Sequence, residues 1–219
     1  MNSREKILAR LNNWPADKVQ PVAEIRDQDI YADYPAKDSS LLDIFTNQLS
    51  QLQGETYLAD SRRQAADYLF QILKEFPQHS CLGQPAPFLS EIFSQQAELK
   101  SFIDDKFQLN NDSISFSKYS CGITTADYLI ARTGSIILTS LSAAGRRLSV
   151  LPPVHIVIAA EKQIVPSLEE AFRQLKGQSF DWSYAVLITG PSRTSDIEKQ
   201  LVLGAHGPKR LAVIILRSA

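Results

Sequence analysis

The chain changes its hydrophobic period along its length, and those changes predict its elements. Ile7, Leu8 and Leu11 share one face of a helix over residues 2–12, with Asn2 as cap and Glu5 three residues later. Pro15, Pro21 and Pro35 interrupt residues 13–38, which therefore read as an extended arm. Helical spacing returns with Leu41, Leu42, Phe45, Leu49 and Leu52, from a cap at Ser39 or Ser40 to a stop at Gly54. Tyr57–Leu58 reads as a short strand and Asp60 as the cap of a helix reaching Phe76. Residues 79–82 follow as a strand, and Pro87 opens another helix.

The second half is richer in strands. SISFS (113–117) alternates with period two, and GSIILTS (134–140), HIVIAA (155–160), SYAVLITG (183–190) and LAVIIL (211–216) are apolar runs of strand length. TTADYLIAR (124–132) reads as a helix capped by Thr124 or Thr125, with Asp127 in its first turn. Residues 141–153 read as a polar loop. VPSLEEAFRQL (165–175) reads as a helix capped by Ser167, with Glu170 three later. A last helix, DIEKQLVL (196–203), carries a box at Ser195–Glu198 and a stop at Gly204. It would join the final two strands as a parallel crossover. Strands alternating with helices predict an α/β fold, an open and mostly parallel Rossmann-like sheet flanked by helices. The expected division is a helix and arm over 1–38 and one α/β domain over 39–219.

Composition narrows the function classes. Lys and Arg number 23 against 24 Asp and Glu, so no net field points to nucleic acid or an anionic membrane. No apolar run approaches the roughly twenty residues that span a bilayer. The opening MNSREKILARLNNW lacks the apolar core of a signal peptide, so a cytoplasmic location is expected. Cys81 and Cys121 lie forty residues apart, the spacing of neither a disulfide framework nor a CxxC site. Two thiolates are too few for an iron–sulfur cluster within one chain. None of the nine glycines forms a GxG pair, and HExxH, GxSxG and GxxxxGK[ST] are missing. A self-contained dehydrogenase with its own nicotinamide or metal is therefore disfavoured.

The densest polar chemistry lies in GPSRTSDIEKQLVLGAHGP (190–208). Ser192, Arg193 and Thr194 follow a strand, where free N–H groups converge, and Arg193 suits bidentate capture of a carboxylate. Asp196 and Glu198 already serve the helix dipole and would repel a phosphate. An internal Arg193–Asp196 pair is the structural alternative. His206 is a candidate general base or a structural cation, and on the helical reading about 13 Å would separate it from Arg193. Thr133, Gly134 and Ser135 open a strand where backbone can approach a ligand, or where a turn needs positive φ. Arg147, with Arg146, could line an anion cleft, and His155 heads a buried strand. His79 has no polar company.

TADYLIARTGSIIL (125–138), RRLSVLPPVHIVIA (146–159), IVPSL (164–168) and ITGPSRTSDIEKQLVLGAHGPKRLAVIIL (188–216) resemble the lactate-utilization protein C family, the LUD domain. The resemblance is close over 113–219. It implies a fold similar to the glucosamine-6-phosphate deaminase, ribose-5-phosphate isomerase and CoA-transferase type. It also implies a part in oxidising L-lactate to pyruvate beside two partners, lactate-utilization proteins A and B, which carry the iron–sulfur clusters. This chain would then bind no cofactor of its own. The shared segments bring functional interest to Thr133, Gly134, His155, Ser192, Arg193, Thr194, Asp196, Glu198, Gly204, His206 and Gly207. Arg132 stands where members often carry an acidic residue. Three roles are consistent with these residues. In the first, Arg193 holds the lactate carboxylate and His206 is the base, oriented by Asp196. The second is a scaffold for the cluster-bearing partners. The third is a stand-alone enzyme on a small anion such as a sugar phosphate, CoA ester or folate.

Overall fold

The computed structural model describes residues 3–12, 40–104, 118–140, 145–177, 182–194, 202–203 and 207–217. The chain divides into two units, Met1–Ala36 and Lys37–Ala219. The first contains helix α1 (Ser3–Asn12). The arm over 13–38 and the SISFS strand lie outside the described residues.

The second unit is built on a five-stranded parallel sheet. Its order is β1 (Glu55–Ala59), β11 (Arg210–Leu216), β6 (Val154–Ala160), β3 (Cys121–Thr124) and β2 (Cys81–Gly83). The central strands VHIVIAA and RLAVIIL are almost wholly apolar because both of their faces are covered. Ile156 and Ile158 point into one core with Ala212 and Ile214, while Val157 and Ala159 point into another with Val213 and Ile215.

Helices α3 (Arg62–Leu73) and α4 (Pro87–Ser94) cover the first face through Leu69, Ile72, Leu73, Leu89 and Ile92. Ser61 caps α3 by accepting the Gln64 N–H, and Gln64 in turn accepts the Asp60 N–H. Asp60, expected to be the cap, pairs instead with Arg217 at 2.6 Å. Helix α2 (Leu41–Gln51) lies over the second face through Leu42, Phe45 and Leu49. Ser40 is its cap, accepting the Asp43 N–H at 3.0 Å.

A second sheet also covers that face. Its order is β7 (Ile164–Val165), β4 (Tyr128–Ile130), β5 (Ser135–Thr139) and β8 (Ala185–Ile188). Leu129 and Ile136 enter the core shared with β6 and β11. Tyr128, Ile130 and Ile137 point the other way, toward Ala171 and Leu175 of helix α6 (Leu168–Gly177). Ser167 caps α6, accepting the Glu170 N–H as its sequence predicts.

Three sequence expectations are corrected by this arrangement. TTADYLIAR is not a helix: it finishes β3, turns, and forms β4. Tyr128, Leu129 and Ile130 are all buried, on alternating faces, and a helix could not serve two cores that way. Asp127, read as a first-turn carboxylate, instead accepts the Thr139 backbone N–H at 2.6 Å and closes the β4–β5 hairpin. The polar loop contains a short helix, α5 (Gly145–Val150), which buries Leu148 and Ser149.

The third correction concerns the end of the DIEKQLVL helix, whose residues 196–201 lie outside the described residues. Val202–Leu203 forms strand β10, antiparallel to β9 (Arg193–Thr194), with Leu203 opposite Arg193. The cross-strand partner satisfies backbone groups that the expected helix would have satisfied within itself. The flanking strands do not form a parallel crossover either. β8 runs antiparallel to β5 in the second sheet, while β11 lies in the first.

Candidate functional site

Folding brings the two Thr-Gly segments together. Thr133 Oγ1 lies 2.7 Å from Ser135 Oγ, which lies 2.9 Å from Thr189 Oγ1. Gly134 takes φ +60°, and a Cβ there would stand 2.6 Å from the Leu49 backbone nitrogen. Gly190 takes φ +85°, and its Cβ would meet Leu52 at 3.0 Å. Both glycines thus seat their loops against the last turn of α2, a packing demand that accounts for them.

The next residues join the amino ends of the central strands. The Ser192 N–H donates to the Pro208 carbonyl at 2.8 Å, and a Cβ on Gly207 would touch Ser192 Cβ at 3.3 Å. The Lys209 N–H donates to the Pro153 carbonyl just before β6. The β9–β10 pairing sets Leu203 opposite Arg193 in register. Asp196, Glu198, Gly204 and His206 lie outside the described residues, and so does the proposed Arg193–Asp196 pair.

His155 occupies the buried start of β6, between Leu211 and Gly122 in register. Its Nε2 lies 2.9 Å from Thr124 Oγ1, and no partner among the described residues meets its Nδ1. Burial pushes its pKa down to about 3, so the ring is neutral at physiological pH. Arg147 is exposed on α5. Its neighbour Arg146 places its guanidinium 5.5 Å from the centre of the Tyr184 ring. The segment residues therefore fall into separate places: Thr133, Ser135 and Thr189 in one hydroxyl chain, Ser192 at Gly207–Pro208, and His155 inside the core.

The opposite, carboxyl ends of the parallel strands hold a cleft of about 410 Å³. Arg62 at the start of α3 and Lys162 after β6 stand over it, with Thr125 following β3. Pro87, Phe88 and Glu91 of α4 form another wall. Its floor is braced by two glutamines. Gln84, 6% exposed, accepts the Thr125 N–H at 3.0 Å and the Thr125 hydroxyl at 3.3 Å. Gln163 accepts the Ala160 N–H and donates to the Ala126 carbonyl. Arg62 is held by Glu91 at 2.9 Å. Sequence reading missed this group because its members come from four distant segments. Their common signal is position, each directly after a strand or at the start of the next helix, where α/β sheets offer ligand sites.

The family model of the LUD domain matches residues 42–216, which span both sheets. The chain belongs to the LUD domain family. Over 100 residues it is 38% identical to a lactate utilization protein C from Halalkalibacterium halodurans, covering 43% of each protein. It is 36% identical over 99 residues to one from Macrococcus caseolyticus, again covering 43% of each. These alignments thus span less than half the length of the relatives. A longer alignment, with the protein from Anoxybacillus flavithermus, is 25% identical over 185 residues and covers 81% of each. In fold, this LUD domain is similar to the crystal structure of a DUF162 family protein from Deinococcus radiodurans. The TM-score is 0.53 at 20% identity, covering 80% of this chain and 96% of the other. Among the described residues no helix is long and apolar enough to cross a membrane.

Proposed function

We propose that this LUD-domain chain acts in lactate utilization, as a cluster-free subunit in the oxidation of L-lactate to pyruvate. The observation that carries this reading is the 81% alignment with a protein named lactate utilization protein C. The reaction removes two electrons and two protons from the substrate. With two cysteines in its whole sequence the chain falls short of the four thiolates of a cluster. As the family resemblance implies, the electrons pass to iron–sulfur partners, lactate-utilization proteins A and B, in the cytoplasm. Within the chain, Arg193 binds the substrate carboxylate through a charge-assisted pair, and His206 takes a substrate proton with Asp196 orienting it. Ser192 and Thr194 complete that loop.

Deletion of the gene is expected to abolish growth on L-lactate, with rescue by the wild-type chain. Arg193→Ala or His206→Ala should fail to rescue while the protein stays folded. Full rescue by both variants would overturn the catalytic assignment.

One observation favours a scaffold role as the second reading. The hydroxyls of Thr133, Ser135 and Thr189 bond to one another, and Gly134 and Gly190 are explained by their packing on α2. If these motifs serve architecture alone, Arg193→Ala lowers the melting temperature and weakens partner co-purification without changing affinity for lactate.

A further inference from the structure

The loops around Ser192 do not exhaust the polar chemistry of the molecule, because the cleft at the strand carboxyl ends is formed by none of them. We infer that this cleft binds an organic monocarboxylate with an apolar substituent larger than methyl. The acid group would lie against Arg62 and Lys162 and the apolar part against Pro87 and Phe88.

Charge argues for a single carboxylate. Arg62 and Lys162 come from separate elements, so the site combines two cations that sequence places a hundred residues apart. Glu91, bonded to Arg62 at 2.9 Å, offsets one of them. The excess is one positive charge, which matches a monoanion. A phosphate dianion would face the Glu91 carboxylate across the same cleft, at a Coulombic cost. Arg62 also has the planar donor fork that a carboxylate fits.

Size and lining argue for the substituent. A cleft of about 410 Å³ far exceeds a three-carbon acid. Apart from the charged groups and from Thr125 and Gln163, the walls are apolar, with Ala86, Pro87, Phe88, Ala126 and Ala160. The floor is also fixed before any ligand arrives, since Gln84 and Gln163 hold the segment from Thr125 to Ala126. A preformed floor lowers the ordering cost of binding.

This inference goes beyond the lactate reading, since it concerns a second site at the opposite ends of the strands, and its test is separable from growth on lactate. Isothermal titration calorimetry of the full chain with phenyllactate, L-lactate and inorganic phosphate reads it directly. Phenyllactate should bind most tightly, and Lys162→Gln should weaken it about tenfold, the loss of one charge-assisted contact. Phe88→Ala should weaken phenyllactate while leaving L-lactate unchanged. Glu91→Gln should tighten phenyllactate, because it frees Arg62 and removes a repelling charge. That opposite sign separates a ligand site from general damage to the fold. No binding of phenyllactate to the folded chain overturns the inference, as do unchanged phenyllactate affinities in Lys162→Gln and Glu91→Gln, or phosphate binding tighter than phenyllactate. Should a deletion strain grow normally on lactate while phenyllactate binds as described, the pathway reading fails and the site stands.

Discussion

His155 shows how one side chain can be read for position but not for environment. Its place at the head of a strand is legible in HIVIAA, but its burial depends on β3, β11 and the second sheet closing over it. The buried ring has a pKa of about 3 against an ordinary 6.5. Below pH 6.5 the unfolded chain binds a proton that the folded chain refuses. Stability is therefore whole above 6.5 and falls as pH drops from there toward 3, at up to about 1.4 kcal/mol per pH unit. His155→Gln keeps a hydrogen-bonding group for Thr124 and removes the titration. Chemical denaturation at stepped pH should then show a flatter slope in the variant across this window. An equal slope in both proteins would place the His155 ring in solvent.

Glu55 titrates lower. The Arg210 guanidinium holds its carboxyl below the usual range, through bonds of 2.6 and 2.8 Å, against the opposing effect of burial. Its contribution is present above the ordinary value of 4.5 and is lost as pH falls through the lowered one. Arg210 also binds Glu75 at 2.7 Å, tying β1 and the end of α3 to β11. The groups are partly open to solvent, so Arg210→Met should cost only about 1 kcal/mol in urea denaturation, and less at high salt. An unchanged midpoint at low salt would show that the tie contributes nothing.

Among elements, the caps at Ser40 and Ser167 were readable and the strand pairings were not. Ser40 and Ser167 cap the helices their spacing predicts, because a cap is a local arrangement of a few residues. TTADYLIAR carries the same local signal, yet burial on two faces makes it strand. Ser135 and Thr189 meet across 54 residues of sequence, a contact no local pattern encodes. Gly122 is a further case: it gives no motif, yet α5 rests directly on it, and a Cβ there would run into the Leu148 carbonyl oxygen. Gly122→Ala should therefore destabilise the domain by about 1–3 kcal/mol through overpacking. It should also shift the amide resonances of α5. A neutral effect would mean that α5 does not lie against β3.

At the scale of the molecule, apolar runs of strand length announced an α/β fold, and β6 and β11 form the centre of a parallel sheet as such runs suggest. The mixed second sheet was hidden because its strands are short and β8 pairs with β5 across a long intervening segment. That division also separates two polar regions. Ser192, Gly207 and Pro208 meet at the amino ends of the central strands, while the cleft with Arg62, Lys162 and Thr125 opens at their carboxyl ends. Cys81 and Cys121, forty residues apart in sequence, sit side by side in register and are both buried.

The central claim is that this LUD domain works in lactate oxidation with cluster-bearing partners. Affinity purification of the tagged chain from lactate-grown cells, with L-lactate oxidation assayed in the eluate, tests it most directly. The account predicts that the two partners co-elute with iron and sulfide and that the eluate converts L-lactate to pyruvate with an added electron acceptor. A chain that elutes without them, from cells that still oxidise lactate at the normal rate after its gene is deleted, would contradict it.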